Sequence, residues 1–510
     1  MPSPLSSSTP SAAWSEFLTR MAELADLEAA AGLLGWDQEI YMPAGAQEAR
    51  GHQAAALSGL AHARFTSDEM GALLERLQGP EAPEDADQRL AVENVAWDFD
   101  RARRLPEDLV RESAQAESAS VAAWTEARPR NDFEAWRPHL ERIFELKRRQ
   151  ADCLRREGQS RYDALLEDYE RGVTSAEVVR VFSELRDAIV PLLERIATSA
   201  HPVSTACIQQ PFDCDKQWEL GLEVLRAMGF DFERGRLDRS AHPFTTGLHP
   251  TDVRLTTRLH SDQLCSGLFS SLHEGGHGLY DQGIAEADWR TPLGSSISLG
   301  IHESQSRLWE NLVGRDQPFW RHFYPRLQTL FPDQLGATPL DEFHRAINDV
   351  RPSLIRVEAD EVTYSLHIIL RFELEMDLIE ERLDPRDLPE AWREKMRQYF
   401  GLEVPDDRDG CMQDIHWACG LVAYFPTYTL GNLYSAQFYR QARHDLPGLD
   451  AAFELGDFQI LTGWLRDKIH RVGRRRTAGQ LIQDVTGEPL SARPYIEYLE
   501  TKFAGIYRLG

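Results

Sequence analysis

His273-Glu274-Gly275-Gly276-His277 sets two imidazoles four residues apart with a carboxylate beside the first. On a helix that spacing separates the rings by roughly 40° around the axis and one turn along it, so both can meet one ion. The pattern is that of zinc peptidases, where the histidines bind the metal and the glutamate acts as general base. A catalytic site of this kind takes a third protein ligand and leaves the fourth position to water. The acids downstream are Asp281, Glu286, Asp288, Glu303 and Glu310. In "LGIHESQSRLWENLVG", Ile301, Leu308 and Leu312 fall roughly 140–180° from Glu303 on a helical wheel. That predicts a helix stopping at Gly314, with one face buried and the glutamate turned away from it. The pattern alone leaves the third ligand open among these acids.

The helix that carries the histidines is predicted to run from Ser261, as its cap, to Gly283, as its stop. Counted from Ser266 at about 100° per residue, Ser270, His273 and His277 share one stripe, while Leu264, Leu268, Leu272 and Leu279 take the other side. Histidines serving as core filling would share the leucine face. Gly275 and Gly276 each cost a helix interior roughly 0.8–1 kcal/mol against alanine. Both fall off the histidine stripe, which predicts that another backbone approaches the helix closely there. Upstream, Val253 and Leu255 alternate with Arg254 and Thr256, the pattern of a short strand or hairpin. Elsewhere the dominant period is helical: Trp14, Phe17, Leu18, Met21, Leu24 and Leu27 step by three and four, and similar spacing returns near 133–157, 175–199, 214–229, 361–382 and 458–470. Residues 77–88, "LQGPEAPEDADQ", read as a loop. The fold class is all-α, mainly helical, with a small β-sheet near the active site.

Composition excludes some functions. With 56 Lys and Arg against 82 Asp and Glu, the formal charge is −26, which opposes binding to nucleic acid or anionic membrane. The basic run "RVGRRR" at 471–476 reads as a solvated helix end. None of the six cysteines forms a Cys-x-x-Cys pair, so neither a disulfide framework nor a cysteine metal site is expected. The start, "MPSPLSSSTPSAAW", lacks the basic and apolar regions of a signal peptide. No apolar run approaches the roughly 18 residues of a membrane span. A cytoplasmic protein is expected.

Over nearly its whole length the sequence resembles the carboxypeptidase Taq family of metallocarboxypeptidases. The matching segments include "LLGWDQEIYMPAGAQEAR", "GRLDRSAHPF", "DVRLTTR", "HEGGH", "IHESQSRLWEN", "IRVEADEVTYSLH", "GCMQDIHW" and "AYFPTYTLGN". The resemblance implies a two-lobed helical body around a deep cleft, shared with angiotensin-converting enzyme and the neurolysin-like oligopeptidases. It implies one large catalytic domain over 13–510 behind a disordered tail of residues 1–12. It makes His273, His277 and Glu303 the metal ligands and Glu274 the catalytic carboxylate. It further implies one zinc per chain, with cobalt as a substitute, a homodimer, and removal of C-terminal residues from peptides with broad specificity.

His416 in "QDIHW", with Tyr424 and Tyr428 in "AYFPTY", looks like the histidine and tyrosines that related enzymes aim at the oxyanion; which tyrosine does so stays open. Arg356 in "IRVEAD" matches the family's arginine, and a guanidinium suits a peptide's terminal carboxylate by paired, charge-assisted bonds. Asp360, four residues on, would steady it if that segment were helical. Asp252, Arg254 and Thr256 match another family signature, and an edge strand there would bind substrate backbone by strand addition. Two other functions compete: an internally cutting or dipeptide-releasing oligopeptidase, and a helical scaffold with a structural metal, against which the intact Glu274 argues.

Overall fold

The computed structural model describes residues 11–509. Residues 1–10 of the expected tail lie outside the described residues; Ser11 caps the first helix, Ala12–Ile40, by accepting from the Trp14 amide. Helices dominate, and the apolar residues form two clusters. The small one gathers Trp14, Phe17 and Leu24 with Met70, Leu73, Leu77 and Val92 from the helices Asp68–Gln78 and Ala86–Arg104, closed by Leu293 from the body. The large one runs from Ala127 to Tyr507. Between the two lies a cleft of about 810 Å³, with Leu24, Glu28 and Asp98 on the small lobe and Thr245, Thr246 and His302 on the body.

The lobes are tied by ion pairs that change the reading of the basic run. Arg474 holds Asp98, and Arg475 sits between Asp87 and Asp288. Both arginines therefore join the body to the small lobe instead of forming a solvated terminus. Residues 79–85 form the expected loop between the helices ending at Gln78 and starting at Ala86.

The sheet has three strands: β1 (Gly235–Arg239), β2 (Thr245–His249) and β3 (Asp252–Thr257), in the order β1-β3-β2. β3 is parallel to β1 and antiparallel to β2. The strand expected at Val253–Thr256 is therefore present but central, so its backbone is already paired. The edge toward the cleft is β2. Thr256 is also buried, its hydroxyl bonded to the backbone of Phe244.

The motif helix runs over Leu264–Gly283, with Gln263 as its N-cap and no side-chain cap bond. Ser261 caps nothing: its carbonyl accepts from the Phe212 amide. Gly283 lies inside the helix, and Ile284 closes it. A Cβ on Gly276 would stand 2.5 Å from the Gln305 carbonyl oxygen and 2.7 Å from the Ser306 Cα. The close backbone approach expected of the glycines is thus made at Gly276, by the helix Leu299–Arg307. Gly275 instead receives side chains, Leu225 and Met228 of the helix Cys214–Met228. Beyond Arg307 the chain continues as a wider π-helical turn, Leu308–Val313, where one uninterrupted helix was expected. Such turns recur at functional sites because the extra residue re-aims the side chains around it.

Candidate active site

On the motif helix, His273 and His277 point their Nε2 atoms at Glu303 Oε2, at 3.6 and 3.4 Å. The donor atoms of the three residues all lie within 4.8 Å of one another. Two imidazole nitrogens and one carboxylate oxygen make a donor set that suits zinc. The other ring nitrogens are occupied as a metal site requires. His273 Nδ1 lies 2.8 Å from Glu310 Oε2, and His277 Nδ1 lies 2.6 Å from His302 Nδ1, whose Nε2 is 3.0 Å from Asp281 Oδ1. Such outer partners fix ring orientation and tautomer. Glu310 and Asp281, both open as third ligand from the pattern, thus stand behind the histidines. Asp288 is paired with Arg475 away from them.

Glu303 is buried, not exposed as a glutamate usually is, and its second oxygen accepts from Arg307 Nε at 2.6 Å. Burial alone would raise its pKa, but Arg307 and the two histidines hold it far below the usual carboxylate range. Glu310, opposed in the same way by Arg307 and His273, is held at about 2. His273 loses proton affinity through burial and regains more from Glu303 and Glu310, ending near 9. The side chain of Glu303 fits only because Gly431 of the helix Pro426–Asp445 has none; a Cβ there would be 2.5 Å from Glu303 Cγ.

Glu274 is buried beside this cluster without belonging to it, and its Oε2 accepts from the Thr245 hydroxyl at 2.7 Å. Thr245 opens β2, so the edge strand and the carboxylate are joined directly.

A second group gathers His416, Tyr424, Tyr428 and Arg356. His416 Nε2 lies 3.2 Å from the Tyr428 hydroxyl, and the two tyrosine rings meet edge-on at 5.5 Å. Burial outweighs the nearby Asp414 and lowers the His416 pKa to about 4, so the ring is neutral near pH 7. Arg356 is buried with its guanidinium 5.3 Å from the Tyr428 ring centroid. Its partner is Asp414, reached by Nε at 3.1 Å and Nη2 at 2.8 Å, and not Asp360. Only Arg356–Glu358 is helical there, as a single 3-10 turn, so the four-residue geometry never forms; Asp360 accepts from the amides of Val362 and Thr363 instead. Asp414 also holds Arg371. Asp252 and Arg254 pair with each other, and Arg254 stacks 4.3 Å over Trp36 of the small lobe. Among the described residues no hydrogen bond or ion pair joins them to the histidine cluster.

Sequence reasoning missed Arg307, Asp414 and Glu375. Asp414 left a signal, an acid two residues from a candidate histidine. Glu375 left none: it lies far along the chain, in the helix Tyr364–Ile379, and accepts from Trp417 Nε1, the Ala423 amide and the Tyr162 hydroxyl.

A model of the carboxypeptidase Taq (M32) metallopeptidase family matches residues 16–503. Thermostable carboxypeptidase 1 of Thermus thermophilus is 45% identical over 509 residues, covering 98% of this chain and 100% of that one. Carboxypeptidase 1 of Bacillus subtilis is 38% identical, covering 97% and 98%. The crystal structure of the M32 carboxypeptidase from Deinococcus radiodurans R1 superposes with a TM-score of 0.95 at 42% identity, covering 98% of this chain and 100% of that one.

Proposed function

The chain belongs to the carboxypeptidase Taq (M32) family of metallopeptidases, and from that premise we propose that it is a zinc-dependent carboxypeptidase of broad specificity with Glu274 as general base. One observation carries the reading. Three metal-ligating atoms converge beside a carboxylate that is not among them and that a hydroxyl holds in place.

Zinc held by His273, His277 and Glu303 would supply Lewis acidity, lowering the pKa of water toward about 7 and polarising the scissile carbonyl. Glu274 takes the proton of the attacking water and passes it to the leaving amine. The Thr245 hydroxyl holds that carboxylate in one orientation. His416, neutral at working pH, and one of the two tyrosines Tyr424 and Tyr428 donate to the oxyanion of the tetrahedral intermediate, and the other tyrosine contacts the substrate. β2, the free edge, takes the substrate backbone, with Asp252 and Arg254 supporting the sheet behind it. Arg356 receives the terminal carboxylate. Asp414 occupies one edge of its guanidinium and fixes the plane in which the remaining N–H groups point. The same reading includes one zinc per chain with cobalt as a substitute, a cytoplasmic homodimer, and one catalytic domain over 13–510.

The test is a free-acid peptide and its C-terminal amide, each incubated with zinc-loaded protein and read as a product ladder by mass. The free acid should be shortened from its C-terminus and the amide handled poorly. Equal cutting of both would favour an oligopeptidase. Arg356→Ala should lower kcat/KM on the free acid by about 10- to 150-fold and leave metal content constant, so that the preference over the amide shrinks. Equal loss on both substrates would assign Arg356 to the fold.

A further inference from the structure

A second pocket of about 440 Å³ adjoins the main cleft, and the two share Asp98, Ser295, Ser296 and Arg474 as a common wall. It reaches Tyr169, whose ring meets that of Tyr424 edge-on at 5.2 Å. The charges lining it are paired almost without exception. Asp98 holds Arg474, Glu167 and Asp168 share Arg101, Arg475 lies between Asp87 and Asp288, and Arg476 is on Asp484. Arg171 is the exception. Among the described residues no carboxylate oxygen lies within 4.0 Å of it. Its Nη1 donates to the neutral Asn94 Oδ1 at 2.8 Å, and its guanidinium stacks 4.4 Å from the Trp97 ring centroid.

That arrangement is costly for the protein alone. Partial burial first and the neighbouring Arg474 second work against the charge on Arg171, and the more distant Asp98 and Glu167 offset them only in part. In a chain with 82 acidic side chains, a pocket guanidinium is set to receive an anion from outside when the three acids lining the same pocket, Asp98, Glu167 and Asp168, are all bound to other arginines. Stacking on Trp97 and the bond to Asn94 hold its plane, and a fixed guanidinium loses less freedom on pairing than a free one. The position of the pocket says which anion. It shares the Ser295–Ser296 wall with the cleft that carries the edge strand β2, and neither Arg356 nor Asp414 lines it.

We propose that Arg171 is the centre of a subsite for an acidic side chain, a glutamate or aspartate lying upstream of the scissile bond in the peptide substrate. The proposal rests on the peptidase reading above for the identity of the ligand.

The experiment is a set of free-acid peptides in which one glutamate is moved along a glutamine background. KM and kcat are measured at low and high salt, and affinity is measured separately by calorimetry. One upstream position should show a KM about three- to tenfold lower for glutamate than for glutamine at similar kcat. The advantage should shrink as salt rises. Arg171→Gln should bring the ratio to one, and Arg171→Lys should keep part of it. If Arg171→Gln does not fold, the reduced ratio in Arg171→Lys carries the same information. A ratio of one at every position in the unaltered protein, or a ratio that survives Arg171→Gln, overturns the subsite. Peptides that bind with the predicted glutamate preference but are never shortened would instead count against the carboxypeptidase reading, and the subsite would stand.

Discussion

Two regions meet at the site. One is the pair of helices that carries His273, Glu274, His277 and Glu303, locked where Gly276 admits the neighbouring backbone. The other is the stretch 401–425, which forms turns but no helix or strand, and which carries Asp414, His416 and Tyr424. In the first, position follows from the helix itself: a four-residue step and one close crossing place every donor. In the second, position depends on buried acids. Asp414 gathers Arg356 and Arg371, and Glu375 reaches across to Trp417 and to Ala423, whose φ of 65° lies in the left-handed region. The two regions also tune carboxylates in opposite directions. Glu303, among Arg307 and two histidines, is kept charged; Glu375, among neutral donors, is pushed up by burial to about 7. Chemistry is placed by helical geometry on one side and by electrostatic anchoring on the other.

The largest effect should come from the helical side. On the proposed reading Glu274→Gln removes the proton acceptor and no ligand, so hydrolysis should fall by about 10²–10⁴ while the zinc content of the loaded protein stays unchanged. Zinc lost in step with activity would show that Glu274 helps to hold the metal, and the separation of ligand from base on this helix would collapse.

The anchoring of the other side is tested at Asp414. Asp414→Asn keeps the shape but leaves Arg356 and Arg371 buried and unpaired, which should cost about 3–5 kcal/mol of stability in urea unfolding. A change under about 1 kcal/mol would mean that packing, not charge, holds the stretch.

A smaller effect separates ligands from the groups behind them. Asp281→Asn weakens the carboxylate that orients His302 against His277, so zinc affinity should fall about 10- to 100-fold, read by competition with a chelator. Unchanged affinity would leave the His277 ring oriented by packing alone.

This contrast explains what could be read in the sequence. The histidine stripe, the separate leucine face and the close approach at Gly276 all follow from a 3.6-residue period, which the sequence carries openly. The sheet was visible in Val253 and Leu255, but not its order, because strand order is set by pairing with β1 and β2. Asp360 was a local guess at the partner of Arg356, and it fails because the segment makes one 3-10 turn and the true partner lies 58 positions away. By pattern alone Glu310 and Asp281 stay open beside Glu303, which the resemblance singles out. The crossing of two helices and the missing side chain of Gly431 are the physical reason that Glu303 enters the cluster. Arg474 and Arg475 read as surface because their partners, Asp98, Asp87 and Asp288, come from distant segments.

The smallest effect is a pH dependence, and it isolates Glu375. Its pKa is raised from the ordinary 4.5 to about 7, first by burial, which the bonds from Trp417 Nε1, the Tyr162 hydroxyl and the Ala423 amide only partly offset. The folded protein therefore binds this proton more tightly than the unfolded chain does. Between the two pKa values the folded state holds more protons, so stability must fall as pH rises through that window and level off above about 7. From about pH 5.5 to 7.5 this one carboxyl should take away at most about 2 kcal/mol. Glu375→Gln removes the titration while keeping a side chain of the same shape. The variant should lose less stability over that range than the unaltered protein, in urea midpoints taken at matched pH. Some slope will remain, because burial also raises Glu170 to about 8 and Asp360 to about 6. Absolute stability at one pH is a poor guide, since an amide oxygen cannot accept every bond the carboxylate accepts; the slope is the readout. Equal slopes in the two proteins would show that Glu375 titrates normally. The opposition between a carboxylate kept charged and one kept neutral would then disappear.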